Sequence, residues 1–394
     1  MRRDTPTLLL TAWLAAFWFL SPTSWHRCLL GLLVISSLLP QRTDLPGLVK
    51  RERWLWLAGS LLAWQSLSRF WSSGSGFPCA WPVDSLLVAG LLCSLFFAAG
   101  GAGLSRTAVP AVSLVSAAVS LASLLVFYPL QGHDFAADRL RNVFFYSHGL
   151  NAVPTGFLFA FGALTGLWMV MQSSAGPRKL WTSASGLSLL GLLATQSRGP
   201  MLMFAVGLFL LLAAERKKAV PPLIISVATP VIYFSLLLMA RTWADATTDL
   251  FQRGTTGRLE IYQTYLGRMT PVSCLIGTGM ADAPILPKDV LGWRVVHPHS
   301  IYLTQLYQTG IPGLAMLLAL IAWALRSALK LAKQGDPLWL SLLGGASTAL
   351  IFDGGQTFTV YSFTRIEILL IAIPAAIAVA KAAGPARSAA ALLK

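Results

Sequence analysis

Apolar and polar positions alternate along this chain in long blocks. Twelve apolar runs are separated by polar connections, at about residues 7–21, 24–39, 54–71, 83–99, 107–129, 147–172, 180–196, 199–214, 221–239, 300–325, 337–352 and 363–381. A helix needs about 17–25 predominantly apolar residues to cross a bilayer, so each run is predicted to be a membrane span. No small-residue cleavage site of the A-x-A kind follows Leu20, and a second run begins almost at once, so the first run is expected to be a retained helix. All connections but one are short; the exception, about 240–299, is roughly 60 residues long. The pattern predicts an all-α integral membrane protein of about twelve transmembrane helices. Residues 1–394 would form one polytopic domain, with 240–299 inserted as a loop between helices nine and ten.

Composition agrees with that pattern. Of 394 residues, 55% are apolar and only 11% charged, against a usual charged fraction near 25%, which excludes a soluble enzyme of ordinary composition. The 22 prolines and 33 glycines exclude a simple coiled coil. A net charge of +15 raises nucleic acid as a partner, but the basic residues fall in short clusters between apolar runs, as topology signals do. Membrane lipid is the expected surrounding and no nucleic-acid partner is expected. With the N-terminus placed in the cytoplasm, every inward connection carries Lys or Arg, from Arg2 and Arg3 through Lys50 and Arg51 to Lys394. The connections at 72–82 and 353–362 carry neither, so both termini are expected inside.

The charge that remains outside is uneven. It comprises Arg27, Arg69, Arg139, Arg141, Arg198, Arg241, Arg253, Arg258, Arg268, Arg294 and Arg365, with Lys288 as the single lysine. Arginine offers a planar fork that meets two oxygens of a phosphate or carboxylate at once, whereas lysine is a point charge. An outward surface of this kind points to an anionic ligand, a phosphate or diphosphate. Contact with lipid head groups is the alternative for any one of these residues.

Within the long loop, apolar residues at 259, 262, 266 and 269 have helical spacing and predict an amphipathic helix lying on the outer membrane face. The stretch Leu275 to Gly279 is rich in turn formers but lacks the lysine and helix context of a nucleotide loop. All five histidines, His26, His133, His148, His297 and His299, fall on the outward side. Histidine titrates near neutrality and can accept a proton there. His299 either does this or merely starts a helix with Ser300. A zinc site at His297 and His299 is the other reading, though neither C-x-x-C nor H-E-x-x-H accompanies them.

His299, followed by Gly310 eleven positions later and then Gly313, resembles the signature of the O-antigen ligase and polymerase superfamily. Gln196-Ser197-Arg198-Gly199 at the start of an apolar helix, and Gly257-Arg258 followed by Gly277-Thr278-Gly279, resemble that family's two other landmarks. The resemblance covers residues 190–320 and extends loosely to the whole chain. It implies glycosyl transfer from an undecaprenyl-diphosphate-linked glycan on the periplasmic side, with the lipid A core oligosaccharide as the acceptor of a ligase. A polymerase or protein-directed oligosaccharyltransferase of the same superfamily would share the chemistry. A lipid-glycan transporter is disfavoured, because the apolar runs hold almost no ionisable residues away from their ends.

Breaking a sugar–diphosphate bond develops negative charge that a divalent metal or fixed cationic donors can stabilise. The outward acids show no D-x-D or adjacent pair, so a metal-free reaction without cofactor is expected. On this reading Arg198 and Arg258 clamp the diphosphate and His299 deprotonates the acceptor hydroxyl. Asp353 orients His299 or binds acceptor, while Arg139, Arg141, Arg365 and His297 are supporting candidates. The alternatives are an interfacial anchor for Arg198, a loop salt bridge to Glu260 or Asp249 for Arg258, and a helix cap for Asp353. An oxidising compartment would also permit a Cys79–Cys274 disulfide.

Overall fold

A chain in lipid must satisfy its backbone polar groups internally, and apolar runs of this length do so as helices. The computed structural model describes residues 5–19, 24–38, 44–72, 81–99, 107–144, 151–215, 220–240, 257–280, 295, 297–355 and 366–384. Its helices are α1 (Thr5–Ala16), α2 (Ser24–Leu38), α3 (Leu45–Arg51), α4 (Arg53–Leu67), α5 (Trp81–Ala99), α6 (Val109–Leu125), α7 (Ala152–Gln172), α8 (Ala175–Ala194), α9 (Arg198–Ala214) and α10 (Val220–Ala240). Two short helices of the long loop follow, α11 (Arg258–Gly267) and α12 (Pro271–Ile276), then α13 (Ile301–Lys333), α14 (Leu338–Ala349) and α15 (Ile373–Ala383). A helix lies over each of the twelve apolar runs. Among the described residues, 109–130, 152–172 and 301–333 are long and apolar enough to cross a membrane.

Contacts group the chain into two compact units. The first comprises residues 1–29, 101–254 and 329–346. Its centre is α7, buried along nearly its whole length, packed against α6 and α8 through small residues. A methyl group on Gly162 would run into Ser116, and one on Gly191 would run into Ser120, so the backbones approach closely. Ser188 donates to Ser116 at 3.1 Å, Ser185 to the Ala163 carbonyl at 3.0 Å and Ser120 to the Leu187 carbonyl at 2.7 Å. Hydrogen bonds between membrane helices average about 0.6 kcal/mol each, so the close packing carries most of this seam.

The second unit comprises residues 30–100, 255–328 and 347–394. Its defining feature is a break in α13 at Gly310, whose φ of 68° and ψ of −169° are not helical. Pro312 has no N–H to offer the Gln308 carbonyl. That carbonyl accepts instead from the Gly279 N–H at 2.9 Å. Tyr307 O accepts from the Thr278 N–H at 2.9 Å and its hydroxyl at 3.1 Å, and Thr309 O from Trp64 Nε1 at 2.8 Å. Carbonyls exposed by the break are thus captured by the Gly277–Gly279 turn and by α4. The capture requires glycine on both sides, because a Cβ on Gly277 would meet the Gln308 carbonyl and one on Gly310 the Leu275 carbonyl.

α12 opens on a capping box in which Ser273 N–H donates to Thr270 Oγ1 at 3.1 Å and Thr270 N–H donates to Ser273 Oγ at 2.8 Å. α11 packs by Ile261 and Tyr265, with Tyr262, against Val295, Leu303 and Tyr307. Leu259 and Leu266, of the stripe expected on the outer membrane face, are exposed. A methyl in the left-handed region costs about 1–2 kcal/mol before any clash. Gly310→Ala is therefore expected to lower the unfolding temperature in detergent and to open residues 257–280 to protease; an unchanged temperature and cleavage pattern would contradict the capture.

Candidate functional site

In the second unit, the start of α13 and residues 347–350 bring two distant stretches together. The Ile301 N–H donates to the Leu350 carbonyl at 3.2 Å, and the Tyr302 hydroxyl to the Ser347 carbonyl at 2.8 Å. His299, just before α13, therefore lies beside Asp353, just after α14. His299 Nδ1 is 3.9 Å from Asp353 Oδ1, and Arg258 Nη2, on the first turn of α11, is 3.6 Å from Asp353 Oδ2. The Asp353 side chain is 9% exposed, against 28% for Arg258 and 36% for His299. A buried carboxylate thus faces an arginine on one oxygen and an imidazole on the other, and Oδ1 also accepts the Gly354 N–H at 2.9 Å.

Other side chains hold these groups in place. The Tyr262 hydroxyl lies 3.2 Å from both the His299 and the Ile351 carbonyls. His297 Nδ1 accepts the His299 N–H at 3.2 Å, and the two rings are 4.2 Å apart. Glu367, itself buried, accepts the Gly355 N–H at 2.7 Å and so fixes the turn that carries Asp353.

The first unit carries the other motif. The α8–α9 turn places Arg198 at the exposed start of α9, after Ser197 as the residue preceding the helix. Arg139 donates through Nε to the Thr195 carbonyl at 3.0 Å and through Nη2 to Ser197 Oγ at 2.7 Å. Its fork thus spans Gln196, whose φ is 48°. The Leu140 N–H donates to the Ala194 carbonyl at 2.9 Å, and Tyr128 donates to the Asp138 carbonyl at 3.0 Å. Arg141 is exposed, and His133 pairs with Asp138 at 3.3 Å.

Of the residues singled out from sequence, Arg258, Asp353, His297 and His299 come together in the second unit. Arg198, Arg139 and Arg141 belong to the first. Arg258 pairs with Asp353 and not with Glu260 among the described residues, while Asp249, Arg365, His148 and Cys79 lie outside them. Cys274 is a free thiol. Tyr262 and Glu367 were missed as site residues. Tyr262 was read only as one apolar position of a stripe. Glu367 did carry a signal, since an acid abutting an apolar run is costly unless it is met by hydrogen bonds. The described residues with φ in the left-handed region and a side chain are Gln196 and His299, one in each of two motifs.

Fold and site together define a helical membrane protein in which a broken helix, a docked loop helix and a buried carboxylate present arginine and histidine side by side. Comparison with known proteins agrees with this class. The family described as O-antigen ligase matches residues 183–318, a stretch that includes Arg198, Arg258, His299 and Gly310. An O-antigen ligase of Pseudomonas aeruginosa is 29% identical over 373 residues, covering 89% of this chain and 85% of its own length. The resemblance read from the motifs is borne out: residues 183–318 match the O-antigen ligase family, and most of the chain is similar to a curated O-antigen ligase.

Burial pushes the Tyr262 phenol above its ordinary value; Arg258 opposes the rise and Asp353 adds to it. Because the folded value is the higher one, the Tyr262 proton contributes stability fully below the ordinary phenol value of about 10, and this is lost as pH rises through the raised value. The difference in unfolding temperature between wild type and Tyr262→Phe is expected to stay constant from about pH 6 to 9 and to shrink above about pH 10. Shrinkage already near neutrality would show that the phenol is not held protonated.

Proposed function

We propose that this protein is an O-antigen ligase that moves a glycan from undecaprenyl diphosphate to the lipid A core oligosaccharide. In this reading it spans the bacterial inner membrane about twelve times as one polytopic domain. Both termini are cytoplasmic, and residues 240–299 form a periplasmic loop. The acceptor hydroxyl oxygen bonds to the anomeric carbon while the bond from that carbon to the phosphate oxygen breaks. The electron pair leaves with the diphosphate, and the acceptor proton goes to His299. One displacement inverts the anomeric centre.

The observation that carries this reading is the Arg258–Asp353–His299 cluster. Nδ1 is the ring nitrogen nearer Asp353, at 3.9 Å; the tautomer with its proton on that side presents the Nε2 lone pair that a general base needs. Arg258 is anchored by the same carboxylate and has further N–H groups to offer a leaving diphosphate. Arg198 is the second donor clamp in the reading, and Arg139 braces the turn that carries it. Arg141 and Arg365 take donor or head-group contacts. A metal-free reaction is favoured because a guanidinium occupies the face of Asp353 that a cation would otherwise use, and His297 Nδ1 is taken by an amide.

Transfer by purified protein between a lipid-diphosphate-linked glycan and lipid A core is the direct test. His299→Gln is expected to lower the rate by about 10²–10⁴ with donor binding nearly intact. Lysine in place of Arg198 or Arg258 keeps the charge but loses the fork, and should cost about tenfold or more, a charge-assisted hydrogen bond contributing about 1.5–3 kcal/mol. EDTA should leave the rate unchanged; its loss with EDTA and return with zinc or magnesium would sink the metal-free mechanism. In cells, deletion should remove the whole lipopolysaccharide ladder and leave polymer on the lipid carrier, whereas a single-repeat band would mean a polymerase.

A further inference from the structure

His299 is held in a conformation that its own side chain does not explain. Its φ of 53° lies in the left-handed region, uncommon for a residue with a Cβ. Such a residue persists only where its surroundings over-determine it. The contact to Asp353 is not what fixes it, because 3.9 Å is beyond hydrogen-bond length and leaves the imidazole free to swing. The two peptide groups that flank the residue are held instead. Its N–H donates to His297 Nδ1 at 3.2 Å, and its carbonyl accepts from the Tyr262 hydroxyl at 3.2 Å. Two residues on, the Ile301 N–H is fixed to the Leu350 carbonyl, so chain on the helix side cannot relax to follow a shift.

Tyr262 does more than hold one carbonyl. A phenol has one proton, and here it is shared between the His299 and Ile351 carbonyls, the second lying two residues before Asp353. Tyr262 also stands four residues after Arg258 on α11, hence on the same face of that helix. Docking of α11 therefore sets three things at once: the arginine against Asp353, the carbonyl of His299, and the backbone leading to Asp353.

We propose that Tyr262 and His297 are positioning residues that clamp the backbone of His299 from both sides and so aim its imidazole, a proposal that rests on His299 being the base. His297 acts as a neutral hydrogen-bond acceptor through Nδ1, not as a second base or a metal ligand. Neither residue touches substrate in this role. Loss of either acts on the chemical step and not on donor binding.

The test uses the purified full-length protein with the same donor and acceptor, resolving kcat from the donor KM. Tyr262→Phe keeps the ring and its packing but removes the shared hydrogen bond, and kcat is expected to fall about five- to tenfold with the donor KM within about twofold, the size of one lost hydrogen bond. His297→Ala is expected to do the same. His297→Asn should restore kcat to within about threefold of wild type, since an asparagine carbonyl accepts the amide two residues on in the same way. The proposal is overturned if Tyr262→Phe and His297→Ala both keep wild-type kcat, or if His297→Asn is as impaired as His297→Ala. Should Tyr262→Phe not survive purification, the His297 pair alone decides. His299→Ala separates the two levels. If it retains kcat, the base assignment falls and the clamp with it; if it abolishes kcat while the clamp variants remain wild type, the clamp alone falls.

Discussion

A carboxylate taken out of water must be met by charge and hydrogen bonds or it protonates. Asp353 sets that requirement where three stretches of chain, far apart in sequence, converge. The arginine comes from α11, the imidazole from the start of α13, and the acid from the turn after α14. Each of the three has a cheaper arrangement in isolation, in which it faces water. The site exists because the backbone around it removes that option. Glu367 and Gly354 fix the turn on one side, and Tyr262 joins the other two segments by one hydroxyl.

The broken helix explains how a loop becomes part of such a site. A continuous α13 would satisfy its own carbonyls and present only side chains to the loop. Gly310 and Pro312 interrupt that ladder, and the carbonyls of Tyr307 and Gln308 become a docking edge for Thr278 and Gly279. With α12 fixed there, α11 is short enough in its tether to lay Ile261 and Tyr265 on Leu303 and Tyr307, which brings Arg258 over Asp353. Glycine, proline and threonine in the motif thus serve backbone geometry.

Much of this was legible in the sequence. The apolar runs predict the helices, and the motifs around Arg198, Arg258 and His299 point to the residues that structure places at helix starts. Asp353 was read as orienting His299 or binding acceptor, and it lies beside His299, but nothing local in residues 350–355 reveals its contact with Arg258. Tyr262 was legible only as an apolar position of a stripe, because its hydroxyl's partners, the His299 and Ile351 carbonyls, lie far off in sequence. The left-handed φ of Gln196 and His299 was illegible for the same reason: neither is glycine, so the conformation is imposed by tertiary contacts and not by residue type. Arg139 was read as a ligand for anions, and its fork proves to be engaged by Thr195 and Ser197. Counting arginines on one side identifies a basic surface but not which of them brace the chain.

The central claim is that Arg258 and His299 work through one shared carboxylate. It is tested most directly by a double-mutant cycle on the transfer rate, comparing Arg258→Ala, Asp353→Ala and the two together. If the groups act as a unit, each single change removes most of the rate and the double variant is little worse than the poorer single one. Losses that simply multiply, as for sites without a common partner, would contradict the account.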